Sequence, residues 1–480
     1  MATPIPSNRA KFTVEELVRA TGGKLVNVSV SHVEGVSTDT RQITPGAVFV
    51  ALRGERFDAH DFVPAALQAG ATVAIVEREL PLPIGQLVVP DSLSALGELA
   101  AHHRRRWGGA VLAIAGAAGK TTTRTIVSAV LTTVCGEAAH STVGNLNNRI
   151  GVPMVLLGLT ESHRVAAVEV GTNQTGEVPL LTAVVKPDVA ILTLVDIEHS
   201  EGLGDLDAIE VEEGAIFSDS CHTFVVNADD ERALRQASEK SRARADKPPQ
   251  VVGYGFGDRA TLRGVSRKPA RDGTELRVVS HERELTVRVP IVGKPACYAV
   301  MAAMAGVEAL LQRRLTANEV HTALSQPSLA PEGRAELLTG PNGVLILNDS
   351  YNANPASMRS AVETASELAQ ERGGGLHLVL GEMRELGALS HASHAELGQY
   401  LTQHVWASLF AVGTQMTPLV DVVARRLPEA DRWVALHPSA NGIAEHLRGR
   451  LRPSDVLLVK GSRGVRTETV IAELLSEKNP

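Results

Sequence analysis

"AVLAIAGAAGKTTT", residues 110–123, decides how the chain is read. The unbroken small and apolar run Ala110–Ala115 reads as a strand buried on both faces of a parallel sheet. Gly116-Ala117-Ala118-Gly119-Lys120-Thr121 makes a tight turn, and Ile126, Val127, Val130, Leu131 and Val134 recur behind it at helical spacing. A strand, a glycine turn and a helix N-terminus together aim unpaired N–H groups at an anion. Lys120 can then reach outer phosphates, the Thr121 hydroxyl can ligate Mg2+, and Thr122 opens the same helix. The usual eight-residue phosphate loop has glycine where Ile114 stands. A plain turn with a solvated lysine is the competing reading, but Gly-Lys-Thr between strand and helix favours phosphate.

Outward from this stretch, apolar runs alternate with helical segments. VAAVEVG (165–171), VAILTLVDI (189–197) and HTFVVNADD (222–230) end in small or polar residues, as parallel strands do where ligands bind. Residues 252–291 alternate apolar with polar and are expected to be antiparallel strands on the sheet edge, followed by the helix ACYAVMAAMAGVEALL. A second alternation (VLILNDS, LHLVLGE, SLFAVG, DVLLVKGS) predicts another open α/β domain from about residue 330. Before the loop, VFVAL follows a Pro45-Gly46 turn, and LGELAAHHRRRW is helical in period and stops at Gly108-Gly109. The expected division is 1–107, 108–328 and 329–480, in an α/β fold class.

A chain of 480 residues exceeds one hydrophobic core, and about three domains fit its length. Aromatic residues at 3% and a net charge of −7 argue against nucleic acid as a partner. Cys135, Cys221 and Cys297 are odd in number and widely spaced, which points to a reducing compartment. "MATPIPSNRAKF" has no apolar signal region, and no run approaches the ~20 apolar residues of a membrane span. A cytoplasmic protein with no membrane insertion, acting as a monomer, is the expectation.

Further candidates sit at strand ends. Glu169 in AVEVGTN and His199 in VDIEHSEGLG can complete a magnesium site beside the loop, although a lone histidine is often a packing residue. Asn145, Asn147 and Asn148 in TVGNLNNRIGVP present amides to a polar ligand or form an ordinary turn. Asp349 in LNDSYNANP is placed to accept from ribose hydroxyls, with turn formation as its other reading. Arg334 lies near a domain junction, from which an arginine can swing onto a γ-phosphate on closure. The HASH at 391–394 starts a helix without an acidic cluster and is assigned to the surface.

Taken in order, these motifs resemble the Mur ligase family over nearly the whole chain. STDTRQITPGAVFVALRGERFDAHDFV resembles its uridine-nucleotide domain; GNLNNRIGVP, EVGTNQTGEV, KPDVAILTLVDIEHSEGLG, NDSYNANPASM, GEMRELG and LVKGSRGVR resemble its later signatures. The resemblance implies three α/β domains: a small N-terminal one, a central P-loop mononucleotide-binding one and a C-terminal Rossmann-like one. It implies an ATP-dependent ligase of peptidoglycan precursor synthesis, joining D-alanyl-D-alanine to UDP-N-acetylmuramoyl-tripeptide through an acyl phosphate. Thr121, Glu169 and His199 fall on magnesium positions, Lys120 and Arg334 on phosphate contacts, and Asp349 on the ribose contact. Ser37, Thr38, Asp39 and Arg41 fall in the uridine block; Asn145, Asn147, Asn148, Asn352 and Asn354 are expected to meet the substrates.

Four positions depart from the family. Ala117 and Ala118 replace residues with side-chain hydrogen bonds, but backbone N–H groups hold the phosphate. Glu213 in EVEEGAIF stands where the family has a carbamylated lysine, and as a carboxylate it is expected to serve a second Mg2+ directly or through water. Ala296 in GKPACYAV cannot make the usual adenine-side amide contact, and Asn348 replaces an aspartate. A ligase for another amino acid or dipeptide, or a non-catalytic UDP-muramyl-peptide-binding relative, are the other readings.

Overall fold

The computed structural model describes residues 3–54, 57–244, 246–270, 273–281, 283–326, 329, 332–426 and 433–476. Strand Ala110–Ala115 lies inside a nine-stranded sheet, with Val165–Glu169 and then Ala139–Ser141 on one side. On its other side run Val189–Leu192, Thr223–Asn227, Gln250–Gly255 and Leu262–Ala270, all parallel. Gly273–Ser280 and Arg283–Val289 finish that edge as the expected antiparallel pair. The chain reaches Val165–Glu169 and Val189–Leu192 from opposite sides of Ala110–Ala115, so the order reverses there. At such a switch point a crevice opens beyond the strands' carboxyl ends.

Period-two geometry explains the unbroken apolar run. Val111, Ala113 and Ala115 face a core that includes Leu96 and Leu99 of helix Ser92–Trp107 and Leu181 of helix Glu177–Val185. Leu112 and Ile114 face the opposite core, against helices Lys120–Cys135 and Lys294–Leu311. Each of these two side chains is fully buried, which is worth about 1.5–3 kcal/mol apiece. Helix Lys294–Leu311 is long and apolar enough to cross a membrane, but 72% of it is buried inside this core.

A six-stranded sheet follows in the order Glu336–Thr339, Leu345–Asp349, Val456–Lys460, Leu376–Gly381, Ser408–Val412, Trp433–His437, parallel except for its first pair. Toward the N-terminus, Val36–Ser37, Val48–Val50, Val73–Val76, Gly85–Val88 and Lys24–Val26 form a five-stranded sheet. Helix Ser92–Trp107 leads from it to the central sheet, capped by Asp91 at its start and by left-handed Gly108 at its end. Arg104 of that helix pairs with Asp188 at 3.1 Å, and the same carboxylate accepts from the Val111 N–H. The helix therefore starts four residues earlier than its periodicity suggests, because the Asp91 cap lies outside the apolar pattern.

Two readings change. The run 189–197 pairs as a strand only over Val189–Leu192, and the remainder turns along the crevice. His394 is fully buried rather than on the surface, because its Nε2 accepts the Met383 N–H at 3.0 Å and Nδ1 faces the Ser390 carbonyl.

Candidate functional site

Gly116 leaves the strand at φ +125°, and a Cβ there would stand 2.3 Å from the Thr193 hydroxyl. Only glycine lets the loop pass so close to the next strand. Thr193 then holds the turn by donating to the Ala115 and Ala118 carbonyls, while the Ala117 N–H donates to Leu194 O at 2.7 Å. Gly119, at φ +84°, opens helix Lys120–Cys135 with no side-chain cap, leaving the first-turn N–H groups to face the crevice. Ala117 and Ala118 keep the loop's shape because backbone and Thr193 contacts define it.

Lys120 is 14% exposed and donates to the Gly116 carbonyl at 2.5 Å and to Glu198 at 3.1 Å. Glu198 and Glu213 are buried, and burial raises both carboxyls while the Lys120 ammonium pulls each back down. Burial would lower Lys120, but Glu198, Glu213 and Glu169 outweigh it and hold the ammonium charged. Neither Glu213 oxygen meets hydrogen-bond geometry, and besides the Lys120 ammonium the adjoining Glu198 carboxyl and the Gly116 backbone pull its carboxyl down. Buried carboxylates around one ammonium form an electrostatic nest that a further cation would complete.

Glu169 ends its strand 1% exposed and collects three donors, two from helix Lys120–Cys135 and one from the Asn147 loop. The Thr121 hydroxyl donates to Oε1 at 3.0 Å, Asn147 Nδ2 to the same oxygen at 2.9 Å, and Arg124 lies 3.4 Å from Oε2. Thr121 and Glu169 thus present neighbouring hard oxygen donors suited to Mg2+. His199 lines the same cavity in a left-handed conformation, φ +45°, with Nδ1 2.5 Å from Glu385 of the six-stranded unit. That contact holds the Glu385 carboxyl below its usual range.

The six-stranded unit covers the crevice. Asn354 caps helix Pro355–Arg372 and donates Nδ2 to the Ala117 carbonyl at 3.1 Å, a direct bond across to the phosphate loop. Arg359 pairs with Asp196 at 2.9 Å, and Ser200 donates to the Leu386 carbonyl at 2.9 Å. Between the two sheets lies a cavity of about 910 Å³, within the range of small-molecule sites. Ala117, Ala118, Gly119, Lys120, Thr121 and Thr122 line it from below; Arg334, Asp349, Asn352 and Asn354 line it from above. Arg334 stacks its guanidinium 4.1 Å from the Tyr351 ring centre, while Asp349 is bonded to buried Lys460 at 2.6 Å.

Most residues singled out from the sequence meet here, including Asn145, Asn147, Asn148, Glu169, His199 and Ala296. Asn148 spends its side-chain oxygen on the Ile150 and Gly151 N–H groups, as a turn former does. Ser37, Thr38, Asp39 and Arg41 do not line this cavity: Asp39 accepts from the Arg41 backbone and guanidinium in the five-stranded unit. Glu213 stands behind the lining, in charge contact with Lys120. Sequence reading missed Glu198, although it immediately precedes His199 at the same strand exit. It also missed Tyr298 and Asp229, whose hydroxyl–carboxylate bond of 2.7 Å joins residues 69 apart.

Comparison with known proteins gives the same outline. Three family models match in succession: "Mur ligase family, catalytic domain" over residues 32–104, "Mur ligase middle domain" over 114–307 and "Mur ligase, glutamate ligase domain" over 333–463. The UDP-N-acetylmuramoyl-tripeptide–D-alanyl-D-alanine ligase of Escherichia coli K12 is 32% identical, covering 96% of this chain and 98% of its own. Its Bacillus subtilis counterpart is 31% identical over 97% and 98%. A MurF crystal structure from Acinetobacter baumannii superposes with a TM-score of 0.86 at 27% identity, covering 98% of this chain and 100% of that one. With a relative above 30% identity along almost its whole length and the family's three parts matched in order, the chain belongs to the Mur ligase family.

Proposed function

We propose that this protein is an ATP-dependent ligase that joins D-alanyl-D-alanine to UDP-N-acetylmuramoyl-tripeptide in peptidoglycan precursor synthesis, in the cytoplasm. In this reading residues 1–107 bind the uridine-linked substrate, 108–328 bind ATP, and 329–480 close over the nucleotide and receive the dipeptide. The observation that carries it is the shared cavity: Lys120 and the open helix N-terminus face Arg334 from the opposite sheet.

A carboxylate is a poor electrophile until one of its oxygens becomes a good leaving group. The terminal carboxylate oxygen of the tripeptide attacks the γ-phosphorus, the bond to the β-phosphate oxygen breaks, and ADP leaves. The dipeptide amine then attacks the acyl carbon, loses a proton, and expels phosphate carrying the carboxylate oxygen. Backbone N–H groups of 118–121 and the Lys120 ammonium hold the triphosphate and stabilise the charge that spreads over it. Arg334, released from its Tyr351 stack, adds a planar cation on the other side. Thr121 and Glu169 would hold Mg2+, with His199 Nε2 as the atom left for it once Nδ1 is engaged; the ion would neutralise phosphoryl charge. Glu213, neither of whose oxygens meets hydrogen-bond geometry, would serve a second cation directly or through water. Closure across Asn354–Ala117 orients the reactants and excludes water.

Phosphate release from ATP, assayed with UDP-N-acetylmuramoyl-tripeptide and a panel of amines, tests the reading. Release strictly dependent on D-alanyl-D-alanine is expected. Dependence on another amine would assign a different ligation, and substrate binding without turnover would assign a non-catalytic role.

A further inference from the structure

The cavity has two unlike ends. One carries Lys120, Glu169 and Glu198; at the other, Ile291, Ala296, Tyr298 and Ala299 form an apolar and aromatic wall. A nucleotide with its phosphates on the loop therefore turns its flat, weakly charged base toward that wall. Ala296 and Ala299 offer no hydrogen bond there, so among these four residues only Tyr298 carries a polar side-chain group, with Lys294 of the same lining lying over its ring.

The Tyr298 hydroxyl proton is already committed. Tyr298 Oη lies 2.7 Å from Asp229 Oδ2, and that carboxylate also accepts the Phe256 N–H at 2.7 Å and the Gly257 N–H at 2.8 Å. Burial would raise Asp229, but the Phe256 N–H, the Tyr298 hydroxyl and the Gly257 N–H prevail and keep it ionised. An ionised carboxylate only accepts, so the hydroxyl must donate to it and can offer the cavity lone pairs alone. The ring is held edge-on to Phe256, 5.2 Å between centres, with Lys294 5.5 Å from its own centre. The orientation is fixed by packing as well as by the hydrogen bond.

We infer that Tyr298, oriented by Asp229 as a pure acceptor, selects a purine bearing an amino group at position 6 over one bearing a keto oxygen. This rests on the ATP-binding reading above and names the residue that sets its base preference. An exocyclic amine gives this oxygen a donor; a keto oxygen sets acceptor against acceptor, leaving both unsatisfied.

Direct titration of the full chain with ADP and with inosine diphosphate tests this, because the two differ at position 6 and in the N1 proton that accompanies the keto form. Wild type is expected to prefer ADP by about tenfold or more. Tyr298→Phe keeps the ring contacts and removes the acceptor, so ADP should weaken about tenfold and the preference fall to near unity. An undiminished preference in Tyr298→Phe, or no preference in wild type, overturns the inference and leaves the ligase reading standing. Binding of neither nucleotide to wild type overturns both.

Discussion

Lys120 answers for more charge than one ammonium balances. With Glu198 at 3.1 Å and Glu213 buried beside it, replacing the lysine strands buried carboxylates, so Lys120→Met should destabilise as well as inactivate. Turnover is expected to fall at least about 10²–10³-fold, as when a transition-state charge loses its main partner. Adding Glu213→Gln to Lys120→Met should restore much of the thermal stability but none of the turnover, which separates the two effects in a melt and an activity assay. Glu213→Gln alone carries a definite sign. Its carboxyl is raised in the folded state, so its ionisation costs stability as pH rises through that value. The variant should therefore melt higher than wild type at pH 8, with the gain shrinking toward pH 5. Ligation should nonetheless fall sharply, without rescue by bicarbonate, if the carboxylate serves the second cation. Rescue by bicarbonate of wild type would point to a carbamylated lysine elsewhere.

Two elements meet where helix Pro355–Arg372 begins above the phosphate loop. Asn354 caps that helix through Oδ1 and reaches Ala117 O through Nδ2, so one side chain does two separable things. Asn354→Ala should lose both, costing about 1 kcal/mol of stability. Asn354→Ser keeps a capping oxygen and loses the bridge. It is expected to melt near wild type while kcat/KM for ATP drops roughly three- to tenfold. The helix itself is legible from Asn-Pro ahead of an apolar period, but the bridge is not, because nothing local says which carbonyl lies opposite. The same divide runs through the molecule. Ala110–Ala115 announces a strand buried on both faces, and Gly119-Lys120-Thr121 announces an anion-holding helix start. Glu198 escapes the sequence because nothing local shows that it, as well as His199, enters the cavity and meets Lys120. Tyr298 and Asp229 become a unit only through the contact between a strand exit and a distant helix.

Across the whole molecule, buried histidines and buried acids set opposing pH limits. His103, His140, His377 and His394 are pushed down by burial, each kept neutral in the fold. Unfolding lets them take up protons below their ordinary value near 6.5, so stability should fall as pH drops from about 7.5 to about 5.5. Glu198 and Glu213 act the other way as pH rises. The histidine contribution is expected in calorimetric scans as a melting temperature that falls with pH below neutrality, and Asn or Gln in place of one of these histidines should flatten that fall. These limits protect the arrangement on which chemistry depends: one cavity in which a phosphate loop and an opposing sheet activate a carboxylate. The transfer of that carboxylate's oxygen is the direct test. UDP-N-acetylmuramoyl-tripeptide labelled with oxygen-18 in its terminal carboxylate, turned over with ATP and D-alanyl-D-alanine, should release phosphate carrying one labelled oxygen. Turnover that releases unlabelled phosphate would contradict the account.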